Sequence, residues 1–171
     1  MNDAGYSKDD IWGKKVGVYI GSRMGQYAHR IEKPVKASIT GSGQNFIAAH
    51  ISHFYNLKGP SVVVDSACSS SLSALHMACQ EMKDGDISMT LVGGVDLLLD
   101  ENTYIVLSES EAISQDGVCY AFDERANGFV PAEGCGAVLL KCVDDAIRDG
   151  DRIYAIIDST AINNDGHTMG I

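Results

Sequence analysis

Cys68 is the side chain best placed by its surroundings to do chemistry. It stands in "SVVVDSACSSSLSALHMACQEMKDG", Ser61 to Gly85, where a run of valines stops and a helical pattern begins. The first turn of a helix carries N–H groups without internal partners, and the peptide dipoles add partial positive charge there. A thiolate at that end is stabilised, and the thiolate is the reactive form of cysteine. Backbone N–H groups of the same turn can also hold a developing oxyanion. Ser69, Ser70 and Ser71 suit the turn as cap and packing residues: their hydroxyls can satisfy orphan N–H groups, and their size admits a substrate. No G-x-S-x-G elbow occurs, so a serine nucleophile has no motif behind it. Physics alone leaves a structural thiol open beside a catalytic one.

The remaining cysteines are Cys79, Cys119, Cys135 and Cys142. Their number with Cys68 is odd and no two form C-x-x-C, which argues against a disulfide framework or a zinc site. They read as small core residues in a reducing compartment. His29, His50, His53, His76 and His167 lack ligand spacing and read as packing or surface residues, with His167 in the last loop. Glu133 either holds a glycine-rich corner through backbone amides or is solvated. "GSG" at 41–43 is half a dinucleotide fingerprint without an acidic partner, which excludes a nucleotide site.

The elements that must position Cys68 alternate between strand and helix, which predicts α/β layering. "KKVGVYIGS" is a strand with Val16, Val18 and Ile20 alternating. "SKDDIWG" is a loop or a fragment of helix, and Pro34 interrupts any long helix after it. From Gln44 a helix puts Phe46, Ile47, Ala49, His50, Ile51 and Phe54 on a broad face. Ser61–Asp65 reads as a strand of a sheet covered on both faces. Cys68–Lys83 reads as a helix with Leu72, Leu75, Cys79 and Met82 inward. "ISMTLVGGVDLLL" is a strand broken at Gly93–Gly94, and "ENTYIVLSESEAI" is helical. "NGFVPAEGCGAVLLKCV" gives one or two strands, "DDAIRDG" a short helix and "DRIYAIIDSTAI" a strand.

The bulk numbers bound the function. The 171 residues suffice for one domain with a core. A net charge of −10 argues against a nucleic-acid partner and fits a solvated surface. No apolar run approaches the ~20 residues of a membrane helix. "MNDAGYSKDD" lacks the regions of a signal peptide, so the expected location is cytoplasmic.

"VDSACSSSL" resembles the active-site signature of the β-ketoacyl synthase family, in its polyketide-synthase branch. The likeness extends through "DAGYSKDDIWGKKVGVYIG", "TGSGQNFIAAHISHFYNLKGPSVVVDSACSSSL", "LVGGVDLLL", "FDERANGFVPAEGCGAVLLK" and "DAIRDGDRIYAIIDSTAINNDG", in family order. It implies a thiolase-like layered α/β fold and a homodimer, with Val62 to Val64 at the subunit contact; plain core valines are the alternative. It implies that Cys68 accepts an acyl chain from the phosphopantetheine thioester of an acyl carrier protein. A malonyl-type carrier thioester then decarboxylates and condenses with that chain. No cofactor or metal is bound directly in this scheme, and neither nucleic acid nor membrane takes part. Cysteine, where related loading domains carry glutamine, favours condensation over decarboxylation alone.

The family's two histidines and lysine belong to motifs of the HGTGT and NIGH kind, and neither occurs here. Residues 1–171 are therefore expected to be an internal piece of a ketosynthase domain, without its N-terminal segment and C-terminal half. Such a piece should acylate slowly, fail to condense and associate through uncovered apolar faces. Pro131 and Ala132 depart from commoner family residues, and Cys135 reads as a core thiol. A fatty-acid-type ketosynthase and a non-catalytic docking or dimerisation module are the competing readings; the serine triplet and "NNDG" favour the polyketide branch.

Overall fold

The computed structural model describes residues 1–167. Four strands form one sheet: β1 (Val16–Gly21), β2 (Ser61–Val64), β3 (Met89–Asp96) and β4 (Gly134–Lys141). Their order is β2-β1-β3-β4, with β1 parallel to β2 and β3, and β4 antiparallel to β3. The helices are α1 (Lys8–Ile11), α2 (Ser38–Ser42), α3 (Phe46–Tyr55), α4 (Ser70–Lys83), α5 (Glu101–Glu109) and α6 (Val143–Asp149). The short α1 exists because Ser7 and Asp10 form a reciprocal capping box.

All six residues of β1 are buried, because its alternation feeds two cores. Val16, Val18 and Ile20 pack with Ile11, Ala48, Leu57 and Met89 on the side of α1 and α3. Tyr19 packs with Ala74, Ala78 and Val92 under α4 on the other. The face α3 buries is Ala48 with Ile47, Ile51 and Tyr55, while Phe54 is exposed, so the predicted face is rotated. For α4 the difference is larger. Its inward residues are Ser70, Ala74 and Ala78, whereas Leu72 is 67% exposed. Fully buried positions of α4 are small because its start lies close to the strands, while Leu75 packs partly buried against the same core.

Glycines set that distance. A Cβ on Gly21 would stand 2.4 Å from the Ser71 nitrogen, and one on Gly94 2.9 Å from the Ser71 Cβ. The start of α4 thus rests on a floor of bare backbone. This explains why β3 runs unbroken through Gly93–Gly94, against the predicted break.

β2 lies at the sheet edge, with Val62 to Val64 half-buried rather than covered on both faces. Residues 151–162 form no strand, and most are exposed, because no neighbouring strand among the described residues offers hydrogen bonds. At the amino ends of the parallel strands, Lys141 closes an ionic clasp. Its Nζ donates to Tyr6 Oη at 2.8 Å and to Asp151 Oδ2 at 2.6 Å, and reaches Asp149 as well. The Tyr6 hydroxyl donates in turn to Asp151 Oδ1 at 2.8 Å, fixing the N-terminal segment to the end of α6.

Candidate functional site

β2 ends at Val64 and α4 begins at Ser70, and Cys68 occupies the turn between them. The helix starts two residues later than expected, so Cys68 precedes its N-cap, Ser69, rather than opening it. The turn is forced. Ala67 holds φ at +55°, a left-handed conformation costing an alanine about 1–2 kcal/mol. Hydrogen bonds from both sides stabilise it. The Ala67 N–H donates to Asp65 Oδ1 at 3.1 Å, and the Ser70 hydroxyl donates to the Ala67 carbonyl at 2.6 Å. The Ser66 N–H donates to Ser70 Oγ at 2.9 Å, and the Ser69 hydroxyl donates to the Ser66 carbonyl at 2.8 Å. The serines therefore bind the turn to the helix instead of capping α4 with their side chains. Among the described residues the Cys68 N–H has no hydrogen-bond partner, and its thiol is exposed.

The position agrees with a general rule for parallel sheets. Ligand sites of open α/β sheets lie beyond the carboxyl ends of the strands. β1, β2 and β3 all point their carboxyl ends toward the Cys68 turn, and antiparallel β4 brings its first residue beside Asp96, the last of β3. A cavity of ≈ 710 Å³ opens there, with Cys68, Arg23, Asp96, Leu107, Phe129 and Cys135 in its walls. Phe129 is fixed by two backbone hydrogen bonds: its N–H donates to the Ala112 carbonyl, and its carbonyl accepts from Ser114, each at 2.9 Å. Glu133 holds the corner as one of its two sequence readings had it, accepting the Leu98 N–H at 2.6 Å.

Cys135 is not a core thiol. It is exposed and shares the cavity with Cys68, while Cys119 and Cys142 are also exposed and Cys79 is half-buried. Burial pushes the Cys79 thiol above its ordinary range, against a smaller opposing effect of Lys83. No histidine lines the cavity. His50 Nε2 contacts the Thr40 carbonyl at 2.9 Å, His76 Nδ1 contacts Thr160 Oγ1 at 2.9 Å, and His29 lies 3.8 Å from Asp100. His53 and His167 are exposed.

Sequence reasoning singled out Cys68 but passed over Arg23, Asp96 and Phe129. The available signal was Asp96, a carboxylate closing an apolar strand in "LVGGVDLLL". Arg23 and Asp96 form an ion pair of 2.7 Å, the only charged side chains among the described residues of the cavity wall.

Comparison with known proteins agrees with this geometry. The model of the family described as "Beta-ketoacyl synthase, N-terminal domain" matches residues 1–146. Polyketide synthase PksL of Bacillus subtilis is 46% identical over 171 residues, 100% of this chain and 4% of that protein. Lovastatin diketide synthase lovF of Aspergillus terreus is 41% identical over 175 aligned residues, 100% of this chain and 7% of that protein. Among solved structures, the ketosynthase from module 6 of the bacillaene synthase of Bacillus subtilis 168 superposes with a TM-score of 0.89 at 45% identity, covering 98% of this chain and 29% of that one. The oxazolomycin ketosynthase domain OzmH KS7 of Streptomyces albus JA3453 gives 0.88 at 38% identity, covering 98% and 30%. The chain thus spans under a tenth of these curated relatives and under a third of these solved chains.

Proposed function

Because the chain belongs to the β-ketoacyl synthase family through that family's N-terminal domain, we propose that it supplies the nucleophile of a condensing polyketide ketosynthase, with Cys68 as the acyl acceptor. The observation that carries this is the exposed thiol on a strained strand-to-helix turn, opening into a cavity at the carboxyl ends of the parallel strands.

The chemistry follows from the turn. The Cys68 sulfur attacks the carbonyl carbon of an acyl thioester presented on the phosphopantetheine arm of an acyl carrier protein. A carbon–sulfur bond forms and the carbonyl oxygen becomes an oxyanion. The free Cys68 N–H and the helix start stabilise that charge. Collapse breaks the pantetheine carbon–sulfur bond, that sulfur leaves as a thiolate and takes up the proton Cys68 released, and the chain remains on Cys68. In the complete domain a malonyl-type thioester then loses CO₂ and its carbanion takes the chain. Residues 1–171 are on this reading one portion of that domain, holding the acyl-transfer step but not the groups that drive decarboxylation.

Dimerisation is part of the proposal. The outer edge of β2 has no strand partner among the described residues, and a second copy could continue the sheet or pack there. The five unpaired cysteines suit a reducing compartment such as the cytoplasm. The polyketide branch is favoured over the fatty-acid type because PksL is by name a polyketide synthase and lovF a diketide synthase. A non-catalytic role is disfavoured by the cysteine itself, exposed where a packing thiol would be covered.

The test is acyl loading in the full-length protein, with adducts mapped by mass spectrometry. Cys68→Ala should abolish loading and leave the oligomeric state unchanged. Normal loading of that variant would show that the nucleophile lies elsewhere.

A further inference from the structure

The wall of the Cys68 cavity is small or apolar except where Arg23 and Asp96 stand. Sheet register explains their meeting: Gly21 pairs with Gly94 across β1 and β3, and Arg23 and Asp96 lie two residues further along each chain. Arg23 Nε donates to Asp96 Oδ1 at 2.7 Å. Among the described residues neither side chain makes another hydrogen bond, so both terminal guanidinium nitrogens and Asp96 Oδ2 are uncommitted. The two side chains are 40% and 45% exposed, which leaves them within reach of a molecule in the cavity.

A chain held on Cys68 that runs along this wall must displace water from the pair. A saturated chain replaces none of the lost hydrogen bonds, whereas a chain with an oxygen near the thioester can accept one from the guanidinium. We infer that Arg23, positioned by Asp96, is a specificity-determining residue that favours acyl chains bearing a hydroxyl or carbonyl at the β-carbon over saturated chains. The inference rests on the proposed acylation of Cys68. Recognition of a carrier's phosphate by the same arginine is the competing role, and the choice of donors separates the two.

The donors are butyryl- and 3-hydroxybutyryl-N-acetylcysteamine, which contain no phosphate. Initial rates of Cys68 acylation are read by peptide mass spectrometry in the full-length protein. The expected rate ratio favours the hydroxylated ester by about tenfold. Arg23→Gln brings the ratio to about one, chiefly by slowing the hydroxylated ester. Arg23→Lys, which keeps a cationic donor, retains part of the preference. Should Arg23→Gln fail to fold, the Arg23→Lys ratio must still fall below that of the native protein. Equal rates in the native protein, an unchanged ratio in the variants, or an equal slowing of both esters overturns the assignment while leaving Cys68 as the acceptor. Absence of any Cys68 adduct in the native protein overturns the nucleophile reading, and this inference with it.

Discussion

The two ends of the sheet are built from opposite materials. At the amino ends of the parallel strands, where Lys141 pairs in register with Met89, one lysine meets Tyr6, Asp149 and Asp151 and is only 11% exposed. At the carboxyl ends the chain leaves a thiol exposed, an N–H free, an alanine in a left-handed turn and one ion pair with spare hydrogen-bonding capacity. The first end spends its polar groups on each other and so ties the N-terminal segment to α6. The second keeps polar groups uncommitted beside a cavity. A fold can hold a strained turn because satisfied contacts elsewhere over-determine it.

The sharpest way to break the contrast is to fill the floor under the end that carries Cys68. Gly21→Ala places a Cβ 2.4 Å from the Ser71 backbone, where no flexible side chain can yield. A loss of about 3–5 kcal/mol is expected, since the start of α4 must lift from the sheet. Denaturant midpoints measure it; a loss below ~1 kcal/mol would mean that the helix does not rest on Gly21 as described.

Breaking the other end should cost less and show itself through pH. Hydrogen bonds from Lys141 hold the Asp149 and Asp151 carboxyls below their ordinary 3.8. Burial works to lower Lys141, yet its bonds to Asp149, Asp151 and Tyr6 outweigh this and raise it above its ordinary 10.5. The depressed carboxylates stabilise the fold above pH ~3.8, an effect lost as pH falls through their lowered values. The raised lysine contributes below pH ~10.5 and ceases to do so as pH climbs past its raised value. Lys141→Met should therefore lower Tm near neutrality by a few degrees and flatten the acid limb of the Tm–pH curve. An unchanged acid limb would show that the clasp does not couple to folding. Acylation of Cys68 should be unaffected.

The smallest effect is expected between the two ends. Thr90 is fully buried under α4, and among the described residues its hydroxyl has no hydrogen-bond partner. Thr90→Val should be neutral or stabilising by up to ~1 kcal/mol, because the hydroxyl is desolvated without return. A destabilisation beyond ~1 kcal/mol in denaturant titrations would mean that the hydroxyl has a partner, such as a bound water.

Much of this architecture can be read from residue patterns, and the failures share a cause. The alternation of Val16, Val18 and Ile20 marks β1, and the place of Cys68 between a valine strand and a helix is legible from the pattern around it. On α4 the predicted face holds for Leu75, which packs on the core, and for half-buried Cys79 and Met82, but not for Leu72; the close helix–sheet approach buries Ser70, Ala74 and Ala78 instead. Gly93 and Gly94 looked like a break for the same reason; they are spacing devices rather than punctuation. Residues 151–162 carry the pattern of a strand, but a strand requires a neighbour. Arg23 and Asp96 are 73 positions apart, and only the pairing of β1 with β3 brings them together at the cavity. Side-chain type and local pattern mark a candidate residue; topology decides what surrounds it.

Cys68 and Cys135 share one cavity and both are exposed, yet only Cys68 sits at the strained turn before a helix. Timed alkylation of the full-length protein with iodoacetamide at neutral pH, resolved by peptide mass spectrometry, compares them directly. The account predicts that Cys68 is modified at least about tenfold faster than Cys135, Cys119 or Cys142. Equal rates across the exposed cysteines, or Cys135 reacting first, would contradict it.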